Sequence, residues 1–244
     1  MSNRRLGTCG RSVRWLLLWD IDRTLVYTSD RDRLVYHRVV ETMTGRRITV
    51  PPRSGLGSLE RDIVKAYLLG AGLTANDAEA VLPSTLDRVI AELSNTTTLK
   101  EPESWEMPSA YETLRSLSHC PDVLSTVVTG NHKPVAEAKL RAFGLLQFVR
   151  TSIGAYGEEG DTRADLVRLA RARASTFAGV TFAWKNVVVI GDSANDVRAA
   201  RACGATCVAV STGRYSPEVL TSLGADVVFE SLAHFHALFI GSER

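Results

Sequence analysis

Hydrophobic positions follow two patterns along this chain. Short runs rich in apolar residues, such as Val123–Val128 and Asn186–Ile190, are typical of strands, and the second run is of the kind found in strands buried on both faces. Longer segments, such as Pro134–Phe143, carry apolar residues at helical spacing. The two patterns alternate from Met107 onward, which predicts a parallel sheet with helices on both faces. The predicted strands are Val13–Trp19, Val123–Val128, Phe148–Ile153, Asn186–Ile190, Thr206–Val210 and Asp226–Phe229. The predicted helices of this region are Pro108–Ser118, Pro134–Phe143, Arg163–Ser175, Asp196–Cys203, Ser216–Leu223 and Ser231–Phe239.

The segment that follows the first strand has a different, purely helical pattern. Asp32–Thr44, Ser58–Ala71 and Thr74–Ser94 each show apolar positions at helical spacing, and a turn-rich stretch over residues 50–57 separates the first two. We therefore expect an α/β protein with a Rossmann-like core over residues 1–28 and 105–244. An all-helical cap over residues 29–104 is inserted after the first strand of that core.

Polar residues follow three of the predicted strands at the point where each strand ends. Asp20 and Asp22 follow the first strand, Thr129-Gly130-Asn131 follows the second, and Gly191-Asp192 with Asp196 follows Asn186–Ile190. Ligands of parallel α/β sheets bind outside the carboxyl ends of the strands. The sequence therefore predicts one site that combines these residues.

The predicted site contains four carboxylates, from Asp20, Asp22, Asp192 and Asp196. Their mutual repulsion would raise their pKa values unless a hard cation is present, and Mg²⁺ suits an all-oxygen ligand set that leaves positions open for water and phosphate.

Donors for a phosphoryl group are available in the same place. The hydroxyl of Thr129 and the backbone amides of Gly130 and Asn131 lie where phosphoryl oxygens need donors, and Arg163 at a helix start is the best-placed cation. The residues thus favour phosphoryl transfer to a carboxylate nucleophile.

Composition limits the other functions. The 244 residues are 45% hydrophobic and carry a net charge of +2 with scattered Lys and Arg, so no nucleic-acid surface is expected. The apolar run Trp15–Trp19 is too short to span a membrane and has no cleavage site after it, which favours a cytoplasmic protein without a membrane partner. We expect a monomer or a weak dimer. Cys203 and Cys207, although four residues apart, are expected to be ordinary reduced thiols.

Three segments together resemble the haloacid dehalogenase superfamily. Asp20-Ile-Asp22-Arg-Thr24 is similar to its DxDx[TV] motif, Val127-Val-Thr129 to its strand ending in Ser or Thr, and Gly191-Asp192-Ser-Ala-Asn-Asp196 to its GDxxxD motif. The helical insertion resembles the C1 cap of the phosphoglycolate phosphatase-like subgroup.

The resemblance implies a role for each of these residues. Asp20 would be the nucleophile that forms an aspartyl-phosphate, and Asp22 the general acid and base. Thr129, Gly130, Asn131 and Arg163 would bind the phosphoryl group. The carboxylates of Asp20 and Asp192 and the backbone carbonyl of Asp22 would hold Mg²⁺, and Asp196 would support it directly or through water. The substrate would be a small phosphorylated metabolite.

Two residues depart from the family pattern. Arg23 replaces the usual Gly after the second Asp. Its side chain could enter the site, but its place in a turn favours a side chain that points to solvent. Arg163 replaces the usual Lys of the third motif, and the alternative is that Lys133 or Lys185 serves instead.

Other functions stay open at this point. A sugar-phosphate mutase would use the same carboxylates, and a non-catalytic binding protein could retain the scaffold. Candidate substrate contacts are Arg53, Ser54, Gly55, Gly57 and Ser58, which could equally form an ordinary turn. Tyr27, Arg31 and Arg33, near the start of the cap, are weaker candidates.

Overall fold

A five-stranded parallel sheet forms the centre of the molecule in a computed structural model that describes residues 13–48, 58–96 and 104–235. The strand order is β4-β1-β5-β6-β7. These strands are β1 (Trp15–Trp19), β4 (Val123–Val127), β5 (Val187–Gly191), β6 (Thr206–Val210) and β7 (Val227–Phe229). The expected α/β, Rossmann-like fold class is confirmed.

Helices cover both faces of the sheet because alternate residues of each strand point to opposite faces. In β1, Leu16 and Leu18 belong to one buried apolar cluster, whereas Leu17 and Trp19 belong to the other. All four side chains are fully buried, as expected for a central strand. The helices of the core are α4 (Ala110–Ser118), α5 (Lys133–Ala142), α6 (Arg163–Ala178), α7 (Ala194–Cys203) and α8 (Pro217–Ser222).

Three helices form the unit between β1 and β4. They are α1 (Ser29–Thr44), α2 (Glu60–Gly70) and α3 (Ala75–Leu93), and the Thr74 side chain caps α3 by accepting from the amide of Asp77. Their apolar faces share one cluster that includes Val39, Leu68 and Leu93 and also Val135 of α5. The helical unit therefore packs against the core through α5.

A two-stranded antiparallel ribbon joins the helical unit to the core. It pairs β2 (Val26–Tyr27), which leads into the unit, with β3 (Trp105–Glu106), which leads back. The rings of Tyr27 and Trp105 stack with centroids 4.1 Å apart. This arrangement supports a helical insertion, while its exact limits at residues 29 and 104 stay a prediction.

The expected strand Phe148–Ile153 is wrong. The chain forms two 3₁₀ turns there, Leu146–Phe148 and Thr151–Ile153, whose amides bond to carbonyls three residues earlier. The pairing with the edge strand moves past them, to a single parallel bridge between Val128 and Ala155. Local hydrogen bonds thus satisfy a backbone whose apolar residues alone favoured a strand.

Some expectations fall outside the described residues. They concern the candidate substrate contacts Arg53, Ser54, Gly55 and Gly57, and the end of the last predicted helix. The described part of that helix is helical at residues 233–235. Within the described ranges, no helix is long and apolar enough to cross a membrane. Among the described cysteines, Cys203 and Cys207 form no disulfide.

Candidate active site

The carboxyl ends of three neighbouring strands converge on one cleft. Asp20 follows β1, Thr129 follows β4 by two residues, and Asp192 follows β5. All three line the cleft, together with Asp22, Arg163 and residues of the helical unit, and its volume is about 140 Å³. The sequence prediction that these residues share one site agrees with this geometry.

Asp20 is buried and directly paired with Arg163. Oδ1 of Asp20 lies 2.5 Å from Nη2 of Arg163, and the same guanidinium binds Oδ1 of Asp196 from Nη2 at 2.7 Å and from Nε at 2.9 Å. Burial raises the pKa of Asp20 to about 7, although Arg163 acts in the opposite direction. Nη1 of Arg163 is buried and has no hydrogen-bond partner among the described residues, so it can donate to a ligand in the cleft.

Asp196 has two functions at the start of α7. Its Oδ2 accepts from the backbone amide and the hydroxyl of Ser193, which forms a capping box, while Oδ1 holds Arg163. Helix capping and a place in the acidic site therefore occur together.

Three buried carboxylates are arranged so that they could hold a cation. One oxygen from each of Asp20, Asp192 and Asp196 lies within 4.8 Å of the others. Burial, reinforced by the charges of Asp20 and Asp196, raises the pKa of Asp192 well above its usual value. Within the described part of the chain, Oδ2 of Asp192 has no hydrogen-bond partner, and it faces Gly213, where a Cβ would come within 1.9 Å of it. A buried acceptor without a donor fits a Mg²⁺ ligand.

Asp22 lies outside that group of three, and its carboxylate is held by donors. Oδ1 is 2.6 Å from Nζ of Lys139 and 3.2 Å from the hydroxyl of Thr28, and Oδ2 accepts from Nδ2 of Asn131 at 2.7 Å. Burial opposes ionisation, but these donors, Lys139 above all, lower the pKa of Asp22. Asp20 and Asp22 are therefore two neighbouring carboxylates whose pKa values are shifted in opposite directions.

Thr129 and Asn131 order the loop after β4. Oγ1 of Thr129 accepts from the backbone amide of Asn131 at 3.3 Å and from its Nδ2 at 2.9 Å, which leaves the hydroxyl hydrogen of Thr129 to donate into the cleft. Direct contacts from Gly130 and Asn131 to a phosphoryl group stay a prediction.

The helical unit contacts this loop at Gly130. A Cβ on Gly130 would lie 2.1 Å from the carbonyl oxygen of Ser58, and the amide of Glu60 donates to the carbonyl of Gly130 at 3.0 Å. Only glycine fits such a close approach. Ser58, a candidate substrate contact, does line the cleft.

The expectation that Arg23 points to solvent is wrong. Arg23 has a left-handed backbone with φ of 60°, which explains why glycine is usual there. Its Nε donates to Oγ of Ser29 at 3.1 Å, its guanidinium lies over the ring of Tyr27, and its side chain lines the cleft. Arg33 and Arg214 line the same cleft.

The structure also separates the remaining candidate cations. Arg31 is buried and donates to the carbonyls of Glu92 and Leu93, so it holds α1 against α3. Nζ of Lys133 lies 5.8 Å from the centre of the Tyr156 ring. Neither Lys133 nor Lys185 lines the cleft, which leaves Arg163 as the cation beside Asp20.

The sequence analysis did not identify three residues that make buried polar contacts near the cleft, namely Lys139, Glu60 and His132. Lys139 is almost fully buried, and Glu60 is buried with its Oε2 2.8 Å from both the backbone amide and Nδ1 of His132. Lys139 did leave a signal, because it occupies the apolar stripe of α5 with Val135 and Ala136, where a lysine requires buried partners.

The Glu60–His132 contact predicts a pH-dependent part of the stability. Burial would lower the pKa of His132, but Glu60 raises it above the usual value of 6.5. The pair therefore stabilises the fold below pH 6.5, and this contribution is lost as pH rises through the higher folded-state pKa.

We expect Glu60→Gln to lower the melting temperature at pH 6 more than at pH 8.5, measured by thermal unfolding across that range. Glu41→Gln, at the partly exposed His37–Glu41 pair, is the control and should leave the pH dependence unchanged. Equal effects of Glu60→Gln at both pH values would contradict the assignment.

The buried acidic cluster thus lies at the carboxyl edge of a parallel sheet, in a cleft that the helical unit also lines. The family model for haloacid dehalogenase-like hydrolases matches residues 17–201. The chain is 32% identical over 183 residues to a phosphoglycolate phosphatase from Caulobacter vibrioides. The alignment covers 73% of this chain and 68% of that protein.

Solved structures share the fold. A hydrolase from Pseudomonas syringae superposes with a TM-score of 0.67 at 19% identity and covers 93% of this chain and 99% of its own. A protein from Bacteroides vulgatus, provisionally assigned as a β-phosphoglucomutase, superposes with a TM-score of 0.63 at 18% identity over 93% and 88% of the two chains. The chain belongs to the haloacid dehalogenase-like hydrolase family. It is therefore an enzyme, and its relatives support a phosphatase.

Proposed function

We propose that this hydrolase is a Mg²⁺-dependent phosphatase that forms an aspartyl-phosphate on Asp20. The observation that supports it best is the arrangement around Asp20. A buried acceptor on Asp192 and a buried donor on Arg163 both lack protein partners among the described residues, and both line the cleft beside Asp20. A cation and a phosphoryl group would satisfy these two atoms together.

The chain's own residues divide the reaction between them. Asp20 attacks phosphorus, while Arg163 and the hydroxyl of Thr129 stabilise the negative charge of the transferring group. Asp22 transfers the proton to the leaving oxygen and then takes one from the hydrolytic water. Mg²⁺ would be held by Asp20, Asp192 and Asp196 with the backbone carbonyl of Asp22, and it would offset the repulsion among the acids and the phosphoryl charge.

The cleft suits a small anionic metabolite. Its volume of about 140 Å³ corresponds to about five water molecules at their volume in the liquid. Arg23, Arg33 and Arg214 line it and favour a substrate with negative charge in addition to the phosphoryl group. The phosphoglycolate of the Caulobacter relative has these properties and is the first compound to test.

A sugar-phosphate mutase is the second candidate, favoured by the structural likeness to the Bacteroides protein. A mutase would return the phosphoryl group to the sugar, so it needs the same Asp20 but releases no phosphate. A binding protein without activity is disfavoured, because buried acids without a catalytic use are costly to retain.

Phosphate release from a panel of substrates tests the proposal. We expect Mg²⁺-dependent release from phosphoglycolate or another small phosphorylated acid, and no isomerised product from glucose 1-phosphate. Isomerisation without phosphate release would establish the mutase. No turnover of any panel member by a folded, Mg²⁺-binding protein would contradict both.

A further inference from the structure

Lys139 is a buried cation among residues of the site. Its side chain is 1% exposed, and Nζ lies 2.6 Å from Asp22, 2.7 Å from Asp32 of α1 and 3.1 Å from Oδ1 of Asn131. An ammonium has three hydrogens, so these three oxygens use all of its donors. The position of Nζ is therefore fixed from three directions.

The charge balance around Lys139 explains why a lysine is tolerated there. A buried ammonium costs several kcal/mol unless it is paired and hydrogen-bonded. Asp32 supplies one negative charge and is itself held by the hydroxyl of Thr28 at 2.8 Å. Asp22 supplies the second, so the three charged groups together carry one net negative charge.

Lys139 also determines where the Asp22 carboxylate points. Lys139 and Asn131 bind different oxygens of Asp22, and Asn131 is in turn held by Lys139 and Thr129. A carboxylate with a donor on each oxygen cannot rotate without breaking one of these contacts. Its side chain is nevertheless 31% exposed, toward the cleft.

We infer that Lys139 is a positioning residue for the hydrolysis of the phosphorylated enzyme, because it holds the Asp22 carboxylate where it can accept a proton from the attacking water. This inference rests on the proposed function. In this step the water oxygen bonds to phosphorus, the bond from phosphorus to the Asp20 oxygen breaks, and the water proton moves to Asp22. Asp20 is returned as a carboxylate and phosphate leaves.

The kinetics of p-nitrophenyl phosphate hydrolysis test this inference. Its leaving group needs no proton, so phosphorylation of Asp20 is fast even when Asp22 is misplaced, and only the second step slows. The variant is Lys139→Met combined with Asp32→Asn. It removes one positive and one negative charge, so the net charge of the buried group does not change. We expect one equivalent of p-nitrophenolate per site in a burst and then turnover about 10²-fold slower than wild type. KM should fall with kcat, so that kcat/KM changes little, and acid-quenched protein should carry a phosphoryl group.

Two further variants keep the test decisive. Lys133→Met removes an exposed lysine of the same helix and should behave as wild type. Lys139→Arg is the variant to use if the charge-balanced variant does not fold. It retains the charge, but the guanidinium is larger than the ammonium that the three oxygens surround. It should give the same burst with a smaller loss of kcat.

Either of two results would overturn the role of Lys139 while leaving the proposed function intact. One is wild-type turnover in folded Lys139 variants. The other is a parallel loss of kcat and kcat/KM without a burst, which would mean that the first step slowed as well. If instead the wild type shows no metal-dependent turnover that Asp20→Asn abolishes, the proposed function itself fails and the role of Lys139 fails with it.

Discussion

Replacing Asp20 by Asn is expected to abolish turnover while the protein stays folded. The amide cannot act as the nucleophile. Removal of a nucleophile typically lowers kcat by a factor of about 10³ to 10⁶. Substrate binding should persist, because Arg163 and Thr129 are unchanged. The measurement is phosphate release with the best substrate of the panel.

The same substitution should not destabilise the metal-free protein. The folded-state pKa of Asp20 is raised from 3.8 to about 7, so its ionisation opposes folding as pH rises through this range. Asn carries no such charge, and Arg163 keeps its contacts with Asp196. We expect Asp20→Asn to melt at the same or a higher temperature than wild type in EDTA at pH 8. Asp161→Asn, at an exposed acid, should change neither activity nor stability. Substantial activity in Asp20→Asn would exclude Asp20 as the nucleophile.

The second large effect is expected at Asp192. Mg²⁺ should stabilise the wild type, since a ligand that binds the folded state at one hundred times its Kd adds about 2.7 kcal/mol. Asp192→Asn removes the buried acceptor that lacks a protein donor within the described ranges. We expect this variant to lose the Mg²⁺-dependent rise in melting temperature and about 10²-fold or more of kcat, because the charge stabilisation supplied by a catalytic metal is worth several kcal/mol.

The control for Asp192 is choline chloride at the ionic strength of the MgCl₂ titration, which should not shift the wild-type melting temperature. A full Mg²⁺-dependent shift in Asp192→Asn would show that the cation binds elsewhere.

Local patterns were sufficient to predict the fold class and to place the acids of the candidate site at one edge of the sheet. Asp20 and Asp192 could be placed because each directly follows a buried apolar run, and parallel strands bring such ends together. The strand expected over Phe148–Ile153 failed because apolar composition does not distinguish a strand from 3₁₀ turns that pack against a sheet edge.

The partners of the buried cations could not be read from the sequence. Lys139 meets Asp22 across 117 positions, and Glu60 meets His132 across 72. The first contact depends on how α5 packs on the sheet beside β1, and the second on how α2 packs against the start of α5, which no local pattern specifies. Arg23 was misplaced for a related reason, because its direction depends on a left-handed backbone and on Tyr27 and Ser29 beside it.

Mass spectrometry of acid-quenched enzyme tests the central claim most directly. Wild-type protein mixed with Mg²⁺ and substrate, quenched within one turnover and digested, should contain a phosphoryl group on the peptide that carries Asp20. The same peptide from Asp20→Asn should be unmodified. A phosphoryl group on another residue, or none at any time while phosphate is being released, would contradict the aspartyl-phosphate mechanism.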